Sequence, residues 1–141
     1  NRANIKHILN DYTGAIADLT EAIRIKPTFA DAYFNRGNLK LDMQNMEGAW
    51  FDYTRAIEIK SNYVRAYINR GVIRERQKNY SSAIEEYNLA LQMDPRSGDT
   101  YFNRGNAYYY LNQLSEACRD WNAALELGQK EASGNIKNFC K

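Results

Sequence analysis

Arginine recurs at Arg2, Arg36, Arg70 and Arg104, spaced 34 residues apart, and sixteen residues after each stands an acid: Asp18, Asp52, Glu86 and Asp120. A guanidinium donates two parallel hydrogen bonds to a carboxylate, so this spacing predicts structural ion pairs, within one repeat or across to the next. The competing reading is arginines solvated on an outer face. Immediately before each arginine lies Asn1, Asn35, Asn69 or Asn103, and three residues beyond those asparagines come Asn4, Asn38 and Asn106. Asparagine is a middling helix former, so propensity does not account for the pattern. Its amide offers a donor and an acceptor without charge, which suits an extended peptide backbone. The alternative is that these side chains bond between neighbouring helices and hold their spacing.

Nucleophilic and metal-dependent chemistry find no comparable pattern. The single histidine, His7, is remote in the chain from Cys118 and Cys140, so no nucleophile, base and orienting group converge. The two cysteines have no CxxC spacing and no neighbouring histidine, which argues against a zinc ribbon or a redox motif. Cys118 follows the small Ala117, and Cys140 lies on a terminal segment expected to pack on the last repeat. Reduced core cysteines are the expectation, with bonding left open. The sequence therefore reads as a non-enzyme that needs neither cofactor nor metal.

Composition narrows the partners. The 141 residues carry 19 Lys and Arg against 17 Asp and Glu, a formal charge of +2 with both signs interleaved, which is too weak a field to hold nucleic acid. No apolar run approaches the roughly 18 to 20 residues that span a bilayer, so membrane insertion is not expected. The chain begins at Asn1 and reads as a fragment; its compartment is unreadable beyond a weak lean to the cytoplasm from its cysteine usage.

The elements that must position these residues follow the same period. Tyr33, Tyr67 and Tyr101 precede the asparagines by two. Gly37, Gly71 and Gly105 follow the arginines, with Ala3 at that place in the first copy. Ala15, Ala49, Ala83 and Ala117 come twelve residues later, then Leu19, Tyr53, Tyr87 and Trp121, then Ala22, Ala56, Ala90 and Ala124. Apolar residues recur at three and four in two blocks per copy, which predicts a helical hairpin per repeat. The pattern places helices at 1–9, 12–25, 30–43, 46–59, 64–77, 80–93, 99–111, 114–127 and 131–140. Pro27 and Pro95 end second helices. The mid-helix glycines imply close helix approach, with the alanine of the second helix meeting the first and the aromatic filling the neighbouring volume.

The 34-residue spacing of aromatic, glycine, alanine, aromatic, alanine and proline resembles the tetratricopeptide repeat over nearly the whole chain. The resemblance implies an all-α, right-handed superhelical solenoid of antiparallel helix pairs forming one domain, 1–141. Its parts are a truncated repeat at 1–29, repeats at 30–63, 64–97 and 98–131, and a capping helix at 132–141. It also implies a protein-interaction scaffold whose first helices line a concave groove for an extended peptide or protein segment. Where the family usually has leucine before the small residue, this chain has arginine.

On that implied groove lie Asn35, Asn38, Asn69, Asn103 and Asn106, with Phe34, Phe102, Tyr109 and Tyr110 for apolar contact and Arg65 and Arg76 to attract an acid. The Asn35, Asn69, Asn103 series is similar to the asparagine ladder of the O-linked N-acetylglucosamine transferase solenoids. The family's carboxylate clamp is matched at Asn4, Asn35 and Arg65, but Asn69 stands where that clamp has a cation. Alternative readings are a module presenting substrates to an activity outside these residues, and a homo-oligomer joined through exposed apolar ends.

Overall fold

The computed structural model describes the backbone of residues 2–140 and the side chains of residues 11–140. Among the described residues there are eight helices and no strand: α1 (Arg2–Ile25), α2 (Ala30–Asp42), α3 (Met46–Ile59), α4 (Val64–Arg76), α5 (Tyr80–Met93), α6 (Gly98–Tyr110), α7 (Leu114–Glu126) and α8 (Ala132–Phe139). They fall into two compact units, residues 1–66 and 67–141.

In the first unit α2 and α3 form a hairpin. α2 ends where Gln44 takes up φ 63°, a left-handed conformation that reverses the chain. The side chain of Asn45 then accepts from the Gly48 amide at 3.0 Å and caps α3. Gly37 lets the hairpin close, since a Cβ built there would sit 2.9 Å from Tyr53 Cε1. The wholly buried ring of Tyr53 thus occupies the space that a side chain at residue 37 would need.

In the second unit Lys78 (φ 62°) and Asn112 (φ 62°) play the part of Gln44. Asn79 caps α5 through the Ser82 amide, and Ser97 caps α6 through that of Thr100. Gly71 faces Tyr87 and Gly105 faces Trp121, with Ala117 O also 3.2 Å from the Cβ position at residue 105. Close approach is therefore set chiefly by glycine against an aromatic ring. The alanines, expected to meet the first helix, contribute as wholly buried spacers: Ala49, Ala83 and Ala117 have no exposed surface.

Two expectations are corrected. The first repeat is not a hairpin: the helices expected at 1–9 and 12–25 are one continuous helix, α1, of 24 residues. The physical reason lies in the closing contact. Where the other repeats place a buried ring, Tyr53, Tyr87 or Trp121, this one has the half-buried Leu19, so no ring fills the space between two facing helices there. Backbone bonding then continues through the site. Consistently, Ala15, Leu19 and Ala22 are only half-buried, whereas Ala49, Tyr53 and Ala56 are fully buried. Nothing lies within 4 Å of a Cβ built on Gly14.

The second correction concerns the cysteines, which are not reduced. Cys118 on α7 and Cys140 just past α8 form a disulfide, with α carbons 5.8 Å apart. α8 lies against α7 with Ala132 fully buried, and Phe139 reaches the Tyr109 ring at 4.7 Å. That docking brings the terminal thiol to Cys118. Sequence separation alone cannot reveal such proximity.

Candidate functional site: the first helices and what they present

The arginines sit one residue before the closing glycines, on the side of each first helix that faces its own second helix. Arg36 donates from Nε to Asp52 Oδ2 (2.8 Å) and from Nη2 to Oδ1 (2.7 Å), and Lys40 Nζ lies 3.0 Å from Oδ2. Arg70 holds Glu86 through Nε and Nη2 at 2.8–3.0 Å. Arg104 grips Asp120 with bonds of 2.7 and 2.8 Å. All three acids are buried, Asp52 completely. The remaining guanidinium nitrogen reaches back one repeat: Arg36 Nη1 donates to Thr20 Oγ1 (3.2 Å) and Arg104 Nη1 to Asn88 Oδ1 (2.8 Å). Each arginine thus closes its hairpin, and these two also tie it to the preceding repeat. The side chain of Arg2 lies outside the described residues, and Asp18 is exposed.

Two of the asparagines expected to face a ligand have an internal task. Asn38 Oδ1 accepts from the Tyr53 hydroxyl at 2.6 Å, and Asn106 Oδ1 accepts from Trp121 Nε1 at 3.0 Å. Both therefore satisfy the polar end of the ring that packs on the glycine. The equivalent residue in the third repeat is Val72, and there the Tyr87 hydroxyl donates instead to Glu75 Oε1 at 2.9 Å. Burial raises the Glu75 carboxyl above the usual carboxylate range, with the Tyr87 bond opposing it.

That raised pKa carries a sign. Protonated Glu75 is favoured in the folded chain, so its stabilising contribution is full below the ordinary glutamate range and is lost as pH rises through the folded pKa. Glu75→Gln, which keeps an acceptor for Tyr87, is expected to leave stability unchanged at pH 3.5 and to raise it at pH 7. Urea unfolding at the two pH values checks this.

Asn35 is exposed, while Asn69 and Asn103 are half-buried. Phe34, expected as an apolar contact for a ligand, is instead buried at 2% exposure. Its ring lies 4.9 Å from that of Tyr63 and is capped by the Arg65 guanidinium at 5.0 Å. Tyr63 in turn donates to Asp31 Oδ1 at 2.7 Å. Burial and that bond both raise the Tyr63 phenol. Arg65 is exposed.

In the second unit Phe102 and Tyr109 are half-buried and pack on the core formed by α7 and α8. Tyr110 is 60% exposed and stacks on Tyr80 with ring centroids 4.9 Å apart. Arg76 is exposed nearby, and a shallow cleft is lined by Glu75, Arg76, Lys78, Tyr80 and Tyr110. Tyr80 and Lys78 were not singled out from sequence. Their signal was available in the period, since Met46 and Leu114 hold the place of Tyr80 in the neighbouring repeats. No cluster of three or more His, Cys, Asp or Glu able to hold a metal occurs among the described residues, and no helix there is long and apolar enough to cross a membrane.

The family is decided by sequence models. A model described as "TPR repeat" matches residues 3–44 and 76–111, and two tetratricopeptide repeat models match residues 30–63 and 98–130. The chain belongs to the tetratricopeptide repeat family. Solved tetratricopeptide structures resemble it closely. The crystal structure of MamA is 26% identical with a TM-score of 0.79, over 86% of this chain and 71% of that one. The first TPR of Spaghetti (RPAP3), solved bound to the HSP90 peptide SRMEEVD, is 25% identical with a TM-score of 0.75, over 78% of this chain and 89% of that one. No curated protein matches the sequence. In this tetratricopeptide chain the arginine that stands before the small residue, where the family pattern has leucine, is the one that pairs with a buried acid at Arg36, Arg70 and Arg104.

Proposed function

We propose that this chain binds an extended peptide or protein segment along the first helices of its repeats. The observation that carries the reading is the asparagine that recurs at one repeat position, Asn35, Asn69 and Asn103, each on the first helix of its repeat. Family membership supports a scaffold, and the peptide bound to the RPAP3 relative supports the kind of partner. Asparagine amides would take the segment's backbone, and exposed Arg65 would attract an acidic side chain. The same binding would serve a module that presents a segment to an activity outside these residues. No catalytic role is assigned.

Recognition of a terminal carboxylate is not part of this reading, because Asn69 occupies the place of a clamp cation. A fluorescein-labelled SRMEEVD peptide and its C-terminally amidated form are therefore expected to bind with affinities within about threefold of each other, under about 1 kcal/mol. Anisotropy titration makes the comparison. A loss of twentyfold or more on amidation would mean that a free carboxylate is being read.

A further inference from the structure

In the second unit Arg76 and Tyr110, both expected in the groove, share one cleft with Lys78 and Tyr80, which that expectation did not include. At the end of α4, Arg76 and Lys78 project beside Tyr80 at the start of α5, and Tyr110 at the end of α6 stacks on Tyr80. Tyr109 meets the Tyr110 ring edge-on at 5.7 Å, so Tyr110 is held in place while staying 60% exposed. What sets it apart from the other exposed apolar side chains is its setting, a stacked tyrosine pair beside two exposed cations, a combination that suits a partner.

Charge says which partner. Residues 74–78 hold three cations and one acid, the first turn of α5 contains no acid, and the last turn of α6 reads Tyr108, Tyr109, Tyr110 with no charge. The single acid in the cleft, Glu75, is engaged by the Tyr87 hydroxyl. Arg76 and Lys78 are exposed, and neither makes a salt bridge among the described residues.

We infer that this cleft takes an acidic linear segment of a partner protein, its carboxylates meeting Arg76 and Lys78 while an apolar side chain lies over Tyr110. That the occupant is a protein segment rests on the scaffold reading above; its acidity rests on the cleft itself. Carboxylates reach both cations in bonds that charge strengthens, and the tyrosine pair supplies apolar area at little entropic cost.

The test uses the whole chain, labelled with nitrogen-15, and three probes: the end-blocked peptides Glu-Glu-Phe-Glu-Glu and Lys-Lys-Phe-Lys-Lys, and inorganic phosphate. The acidic peptide should shift the amides of residues 76–80 and 110 saturably, and the lysine peptide should not. An Arg76→Gln, Lys78→Gln double variant, both sites being exposed, should keep its thermal midpoint and weaken binding by about tenfold or more. Tyr110→Ala should weaken it without changing its salt dependence. Absence of shifts at millimolar acidic peptide, equal shifts from the lysine peptide, the same shifts from phosphate alone, or unchanged binding by the double variant would each overturn the proposal. Failure of the asparagine reading is separately visible. Substituting Asn35, Asn69 and Asn103 with alanine should leave the acidic peptide's shifts at the cleft intact, and their loss in that variant would overturn an independent cleft.

Discussion

Arg104→Met is expected to lower stability by about 3 to 5 kcal/mol, because it strands the buried carboxylate of Asp120 and the Asn88 side chain together. The loss measures what an unpaired buried charge costs and not the net worth of the pair. Arg104→Met combined with Asp120→Leu should therefore recover much of it, since two apolar groups need no partner. Arg36→Met should cost less, as Lys40 Nζ remains 3.0 Å from Asp52 and can hold the charge. Urea unfolding of the three variants, read by circular dichroism, gives the ranking. An Arg104→Met variant as stable as the parent, or a double variant no better than the single, would refute the pairing as a structural device.

Gly71→Ala is expected to destabilise by about 1 to 3 kcal/mol through overpacking, although alanine is the better helix former by roughly 1 kcal/mol. The added Cβ would lie 2.4 Å from Cε1 of Tyr87, a ring with no exposed surface and a hydroxyl fixed to Glu75. The ring is enclosed, so relief requires the packing around it to shift. Gly37→Ala meets Tyr53 at 2.9 Å and should cost less. Gly14→Ala has open space and should stabilise α1 by about 0.5 to 1 kcal/mol. If all three substitutions behave alike, helix propensity governs these sites and the ring contact does not.

Much of this fold was legible because a period of 34 makes every repeat a control for the others. Seven of the eight helices lie where the apolar spacing puts them, and the arginine and acid positions fall on facing helices at one fixed separation. What the period could not convey was the failure of a single contact. Leu19 looks like a conservative replacement, yet it removes the ring that fills the other hairpins, and α1 runs on. The disulfide was hidden for a related reason: the proximity of Cys118 and Cys140 depends on how α8 docks, which no spacing encodes.

Among the site residues, side-chain type was a weaker guide than geometry. Asn38 and Asn106 share a stripe with Asn35 on a helical wheel, but a ring hydroxyl or indole one helix away claims their oxygens. Phe34 belongs to the core because Tyr63, at the end of its own repeat, and Arg65, at the start of the next, cover it.

The most direct test of the scaffold reading is selection of a random dodecapeptide phage library on the immobilised chain, with every enriched sequence then titrated against the parent and against the Asn35→Ala, Asn69→Ala, Asn103→Ala variant. The predicted result is a set of extended sequences that bind the parent and lose about tenfold or more on the variant, while its thermal midpoint stays within a few degrees. Enriched peptides that bind both proteins equally without shifting the amides of residues 76–80 and 110, or a variant that loses its stability and keeps its binding, would contradict it.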